Sequence, residues 1–212
     1  MKKRLLLLGF AMIIGILSAC ADQPQTSEEP NKYEGDFSYD IQDFEYKNQD
    51  GDMVSSEDLK GKFWVVDFIF TNCTSACPPM TANMSKLQSE LKEAGLSDQV
   101  RLVSFTMDPN HDSPKVLKDY AQKFDAEFTN WDLLTGYSQE EIKKLSIESF
   151  KAFLKRTEVQ DPAEGQPGYN YVHSSSLYIV SPNGKAIKKY NGNTMDPSVV
   201  ENMVKDLKAY IN

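Results

Sequence analysis

Histidine, cysteine and basic charge are all in short supply in this chain. Two histidines and three cysteines stand among 212 residues. So few thiols close one intrachain bridge at most, and a scaffold stapled by several disulfides is excluded. Lys and Arg number 23 against 31 Asp and Glu, giving a net charge of −8 and a pI near 4.9. Phosphate binding needs clustered Lys and Arg, so nucleic acid is excluded as a partner. The apolar run at residues 5–17 is too short, and too close to the N-terminus, for an ordinary spanning helix. There are no internal repeats and no sign of a second domain. What remains, at 40% hydrophobic and 25% charged, has the composition of one soluble globular domain with ends.

The first twenty residues read as processing rather than fold. Lys2, Lys3 and Arg4 make a basic n-region ahead of the apolar run, which finishes in Leu17-Ser18-Ala19-Cys20. Small residues directly before a cysteine, directly after such a run, resemble the bacterial lipobox. That resemblance implies a signal peptide over residues 1–19, a diacylglycerol on Cys20, and a protein held at the outer face of the cytoplasmic membrane. The alternative is an uncleaved anchor with Cys20 an incidental thiol. Cleavage removes three basic residues and no acid, taking the formal charge of the mature part to −11. Residues 20–33, rich in Pro, Ser, Gln and Glu, read as a disordered tether. Residues 34–212 are left as the folded domain.

Residues 63–84, FWVVDFIFTNCTSACPPMTANM, organise that domain. An apolar run ends at Thr71-Asn72, Cys73 and Cys77 follow, and Pro78-Pro79 open a segment with Met80, Met84, Leu87 and Leu91 at helical spacing. The thiols therefore sit where a buried strand ends and a helix begins. A helix N-terminus carries partial positive charge and free N–H groups, which favour the thiolate. Positions i and i+4 of a regular helix are about 5–6 Å apart at Cβ, wider than the roughly 3.5–4.5 Å of a disulfide. A bridge needs the first turn opened into a loop, so a purely structural disulfide is the weaker reading.

Along the chain, residues 37–46 read as an edge strand, followed by a short strand near Val54 and a helical turn at residues 56–59. After the thiol helix, with Gly95 as its C-cap, residues 100–106 form a second apolar strand. Ser113 and Pro114 cap a helix running to about Phe124, residues 131–134 suggest a short strand, and residues 139–154 have helical spacing. Residues 157–169 are Pro- and Gly-rich without periodicity, long enough to suspect a functional loop. Residues 171–180 read as one strand, 181–184 as a hairpin turn, 185–190 as its partner, and Asp196-Pro197 opens a last helix. Strand, helix, strand, then hairpin and helix is the thioredoxin order. The expected fold is α/β, thioredoxin-like, with a mixed sheet flanked by helices and an N-terminal edge extension.

His173 lies in the strand after the long loop, where such a fold brings it toward the thiols. Two sulfurs and one imidazole suit Cu(I) or zinc. Taken alone, a CxxxC pair with a distant histidine leaves a surface imidazole open as the plainer reading. Three blocks, however, TNCTSACPPM after VVDFIF, DPNHDSP, and YVHSSSLYIV, resemble the signatures of the Sco (SenC) family over nearly the whole domain. That family comprises thioredoxin-like, copper-binding proteins required to assemble the CuA centre of cytochrome c oxidase subunit II.

The resemblance implies Cys73, Cys77 and His173 as ligands for Cu(I) or Cu(II), and subunit II as partner, with the protein a monomer. Asp67, Asp108, Asp112 and Pro114 match recurrent family positions without an assigned role. Thr74 stands where many relatives have Pro, and His111 where many have Arg; the first is no donor and the second is expected at the surface. Met80 and Met84 are expected in the core rather than as thioether ligands. A second function is compatible with the same residues: a thiol–disulfide oxidoreductase in which the Cys73/Cys77 pair reduces the cysteines of the CuA site. Peroxide reduction and zinc binding are the remaining alternatives.

Overall fold

The computed structural model describes residues 33–212 apart from 163, 165 and 166. The signal at residues 1–19, Cys20 and the tether up to residue 32 lie outside the described residues. In chain order the strands are β1 (Tyr39–Asp40), β2 (Glu45–Lys47), β3 (Met53–Ser55), β4 (Phe63–Ile69), β5 (Val100–Thr106), β6 (Trp131–Leu134), β7 (Leu154–Glu158), β8 (Tyr169–His173), β9 (Ser176–Val180) and β10 (Lys185–Asn191). The helices are α1 (Cys77–Glu93), α2 (Pro114–Gln122), α3 (Gln139–Phe150) and α4 (Ser198–Ile211), with a single 3-10 turn at Glu57–Leu59.

Six strands form a mixed sheet in the order β1-β10-β9-β4-β5-β6. β4 lies at its middle, parallel to β5 and antiparallel to β9, and all seven of its residues are buried. That is why its sequence is apolar on both sides rather than alternating. Trp64, Phe68, Phe105 and Phe150 stack and cross through the core around it. Met80 and Met84 are fully buried on α1 beside Leu87 and Leu91, as helical spacing requires of a core stripe. α1 packs against α4, α2 against β6, and α3 against β1 and β7. This is the expected thioredoxin-like α/β architecture.

The punctuation follows sequence chemistry. Pro78 and Pro79 occupy the first turn of α1, where no backbone N–H has a helical partner. Just past its end Gly95 takes φ +72°, a left-handed conformation open to glycine. Ser113 caps α2 by accepting from the Val116 N–H. Ser138 and Glu141 close a reciprocal capping box on α3.

Three expectations are revised. The edge strand of residues 37–46 is two short pieces, one on the main sheet and one in the β2–β3 hairpin. α3 stops at Phe150, because Lys151 turns left-handed at φ 51°, and the chain re-enters extended structure as β7. The run 171–180 is not one strand. β8 pairs only with β7, in a separate two-stranded sheet, while β9 belongs to the main sheet. Between them the Ser174 hydroxyl accepts from the Ser176 N–H at 3.3 Å and the Ser175 carbonyl accepts from Gly192 at 2.7 Å, satisfying the backbone off-ladder. The stretch expected as a loop at residues 157–169 accordingly begins inside β7 and ends inside β8, with Glu158 paired to Tyr169.

Candidate metal centre

The chain leaves β4 at Ile69 and turns so that the Cys73 N–H donates to the Phe70 carbonyl at 3.1 Å. Cys73 thus stands in the turn before α1, and Cys77 is the first helical residue. The Cys77 N–H donates to Cys73 Sγ at 3.3 Å. The opened first turn that a 73–77 bridge demands is therefore present. Both cysteines are free thiols. Cys77 is fully buried, whereas Cys73 retains 8% of its surface and borders a cleft of about 190 Å³ shared with Phe70, Ser75, Pro167 and Tyr169.

His173 ends β8 and faces the pair. Its Nε2 lies 3.9 Å from Cys77 Sγ, and its Nδ1 is 2.8 Å from the Ser174 carbonyl. A carbonyl only accepts, so Nδ1 carries the proton and Nε2 offers its lone pair toward sulfur. Among the described residues no three His, Cys, Asp or Glu donors are already gathered as a metal cage. The fit nevertheless holds for the sulfur–imidazole pair. With bonds of about 2.3 Å to sulfur and 2.1 Å to nitrogen, atoms at this separation subtend roughly 125° at a shared ion. The sequence brings His173 to the thiols from about a hundred residues away, as expected.

The two thiols have opposite electrostatics. A hydrogen bond from the Cys77 thiol, then others from the Cys77 and Ser75 N–H groups, outweighs partial burial and lowers Cys73 to a pKa of about 3. Burial, reinforced by the Cys73 thiolate, drives Cys77 well above the ordinary thiol range. The helix N-terminus was expected to favour both thiolates; for Cys77, desolvation wins. Beneath the pair, on β4, Asp67 is completely buried and neither carboxylate oxygen has a hydrogen-bond partner. Desolvation raises it to about 7.

The DPNHDSP block does not touch the donors; it holds the parts that carry them. Buried Asp112 accepts from the Thr71 N–H at 3.1 Å, the Thr71 hydroxyl at 2.5 Å and the Thr106 hydroxyl at 2.5 Å. Thr71 is two residues before Cys73, so this carboxylate fixes the thiol turn. Asp108 accepts from the Tyr169 hydroxyl at 2.5 Å and the Tyr171 hydroxyl at 3.4 Å, fastening β8 to the body. Tyr171 also donates to Gln139 Oε1 at 3.0 Å, and its ring meets Phe70 edge-on. Tyr169, Tyr171 and Gln139 were not legible as site residues, since nothing in their spacing marks them. Pro114 is the first residue of α2. His111 is 43% exposed, as expected of a surface residue, and its Nδ1 lies 3.0 Å from Asp112 Oδ1 and 3.5 Å from the Thr71 hydroxyl.

Comparison with known proteins follows the same lines. A family model described as SCO1/SenC matches residues 34–212. The chain is 42% identical to the "SCO1 protein homolog" of Bacillus subtilis (strain 168) over 193 residues, covering 91% of each protein. It resembles the crystal structure of a SCO1/SenC family lipoprotein from Bacillus anthracis str. Ames at TM-score 0.70 and 44% identity, over 82% of this chain and 96% of that one. BsSco, described as a member of the Sco family of cytochrome c oxidase assembly proteins with a disulfide switch, matches at TM-score 0.69 and 45% identity, over 82% and 94%. Arabidopsis thaliana ScoI with copper bound matches at TM-score 0.66 and 27% identity, over 80% and 99%. Among the described residues no helix is long and apolar enough to cross a membrane.

Proposed function

Because the chain belongs to the SCO1/SenC family, we propose that it is a membrane-anchored, copper-binding metallochaperone for assembly of the CuA centre of cytochrome c oxidase subunit II. Cys73, Cys77 and His173 hold the ion, as Cu(I) or Cu(II). The observation that carries this reading is the approach of His173 Nε2 to Cys77 Sγ at 3.9 Å, with Nδ1 committed to a carbonyl. A pair that only exchanges disulfides has no use for that imidazole. Soft sulfur with imidazole suits copper, and relatives that share the fold are described as copper-bound and as oxidase assembly proteins.

The residues divide the work. Cys73 is already a thiolate at neutral pH, held by its donors. Cys77 must lose its proton before it ligates, which ties metal binding to proton release. Oxidation to a 73–77 disulfide removes both thiolates and expels the ion. Asp112 and Asp108 keep the thiol turn and β8 in register.

The asymmetry of the thiols favours a second use of the same site, reduction of the cysteines of the CuA site. The Cys73 thiolate attacks one sulfur of a target disulfide and releases the other. Cys77, once deprotonated, attacks Cys73 and frees the target. Two electrons pass to the target, and this chain ends with the 73–77 disulfide.

Copper titration of the reduced chain, followed optically with each proposed ligand replaced in turn, tests the assignment. His173→Ala is expected to weaken binding by more than about tenfold while still forming the 73–77 disulfide. Undiminished copper affinity in that variant overturns the metal reading and leaves the dithiol one. The anchor rests on the lipobox, and a homologous family member is described as a lipoprotein. Mass spectrometry of the mature N-terminus should find diacylglycerol on Cys20; an unmodified or uncleaved terminus contradicts it.

A further inference from the structure

Asn83 is a costly residue for its place on α1. Asparagine is a weaker helix former than alanine, and a buried amide is unfavourable unless its hydrogen bonds are made. Asn83 nevertheless keeps only 8% of its surface. Its side-chain amide donates twice, and both bonds leave the helix. One goes to the Gly192 carbonyl at 2.9 Å and the other to the Thr194 carbonyl at 2.8 Å. The segment between β10 and α4 is thereby tied to the helix whose first residue is Cys77.

Gly192 passes this restraint on. Its own N–H donates to the Ser175 carbonyl at 2.7 Å. The approach is close enough to demand glycine, because a Cβ there would lie 2.9 Å from that carbonyl oxygen and 2.9 Å from the Leu177 side chain. The preceding carbonyl, that of Ser174, accepts from His173 Nδ1 at 2.8 Å. A planar peptide joins Ser174 to Ser175, so holding one carbonyl limits where the other points. An unbroken line of contacts thus runs from the sulfur-bearing helix through Asn83, Gly192 and the serine turn to the imidazole. It ends where Nε2 stands 3.9 Å from Cys77 Sγ. The tyrosine clasps on Asp108 hold β8 before His173; this line holds the turn after it.

We propose that Asn83 is a positioning residue for the metal centre, setting the separation of imidazole and sulfur through Gly192 and the Ser174–Ser175 turn. The inference rests on the function proposed above. Its rival is a residue that only stabilises the fold, and α1 carries the comparison. Gln88, 5% exposed, donates to the Glu127 carbonyl at 2.6 Å and to Asn130 Oδ1 at 2.7 Å, and accepts from the Glu127 N–H at 2.9 Å. That amide pins a loop as Asn83 does, but the loop leads into β6 and carries no proposed ligand.

The test uses the full-length, reduced chain in detergent. Without metal, long-range proton–nitrogen NMR should show His173 as the Nδ1–H tautomer in the wild type and as a mixture of tautomers in Asn83→Ala. Copper titration, followed by the sulfur-to-copper absorption, should give Asn83→Ala a dissociation constant raised about tenfold, as loss of an outer restraint on a ligand histidine does. In a His173→Ala background the same substitution should change affinity less than about twofold, because its effect runs through the ring. Gln88→Ala should stay within about twofold of wild type at a comparable loss of stability in urea. Gly192→Ala, which presses a methyl on the Ser175 carbonyl, should repeat the Asn83→Ala pattern and replaces that variant if it does not fold. Wild-type tautomer and affinity in Asn83→Ala overturns the inference. So does an equal loss of affinity in Gln88→Ala or in the His173→Ala background. A wild-type chain that binds no copper, or a His173→Ala chain that binds it undiminished, sinks the functional reading instead, and the metal-free tautomers still judge the role of Asn83.

Discussion

Replacing Asp67 with Asn should make the reduced, metal-free protein more stable at pH 8 and leave it unchanged at pH 4. Asp67 sits on the central strand with both oxygens unpartnered, and burial lifts its pKa from 3.8 to about 7. Below pH 3.8 the carboxyl is protonated in the folded and unfolded chains alike, and contributes no difference. Between that value and about 7 the unfolded chain ionises while the folded chain keeps its proton, so stability falls as pH rises. A tenfold change in proton affinity corresponds to about 1.4 kcal/mol, so the rise from 3.8 to about 7 makes the full penalty above neutrality about 4 kcal/mol. Asn keeps the shape and the unpartnered polar atoms but has no charge to desolvate. Urea unfolding followed by tryptophan fluorescence, with reductant and chelator, at half-unit steps from pH 4 to 8, gives the difference between variant and wild type directly. It should be near zero at pH 4 and grow to roughly 4 kcal/mol by pH 8. A difference independent of pH, or a variant less stable at pH 8, refutes the account of Asp67 as a desolvated, unpaired acid.

Two further outcomes follow from the site's hydrogen bonds. Alkylation of Cys73 by iodoacetamide should change less than about twofold between pH 5 and 8, because a thiol with a pKa of about 3 is fully ionised throughout; a tenfold rise per pH unit contradicts the lowered value. Asp112→Ala should destabilise the protein by about 2 kcal/mol or more, since it strands the Thr106 hydroxyl in a buried place and leaves the half-buried Thr71 N–H and hydroxyl without their acceptor. A loss below about 1 kcal/mol in urea unfolding shows that these groups find other acceptors.

Where burial dominates, the sequence was readable. β4, β5 and β6 stand over the expected residues, because VVDFIF is buried throughout, VRLVSFT is buried at all but Arg101, and both are bounded by turn residues. Capping chemistry placed α1 and α2 for equally local reasons. β7 escaped notice because four of its five residues, Lys155 to Glu158, are polar and face outward or sit half-buried, so no periodicity announces it. The break between β8 and β9 escaped notice because serine hydroxyls replace ladder bonds there without interrupting the β-like sequence. At the site, Cys73, Cys77 and His173 stood out by chemical type and rarity. Tyr169 and Tyr171 act through Asp108, contacts spanning some sixty residues, and Gln139 acts through Tyr171; only the folded chain reveals them. The unequal thiols were missed for a similar reason: proximity to a helix N-terminus is local, but desolvation of Cys77 depends on everything packed around it.

The partition of β8 and β9 into different sheets has a mechanical consequence. The sulfur atoms are mounted on the rigid frame, whereas the imidazole is mounted on a two-stranded arm joined to that frame by tyrosine–carboxylate clasps. Moving the imidazole away from the sulfurs therefore requires loosening those clasps and the packing of Leu154 and Tyr171, with the pairing of the six-stranded sheet left intact. Changes at the exposed positions of the arm can then retune the sulfur–imidazole spacing without touching the ladder of the main sheet.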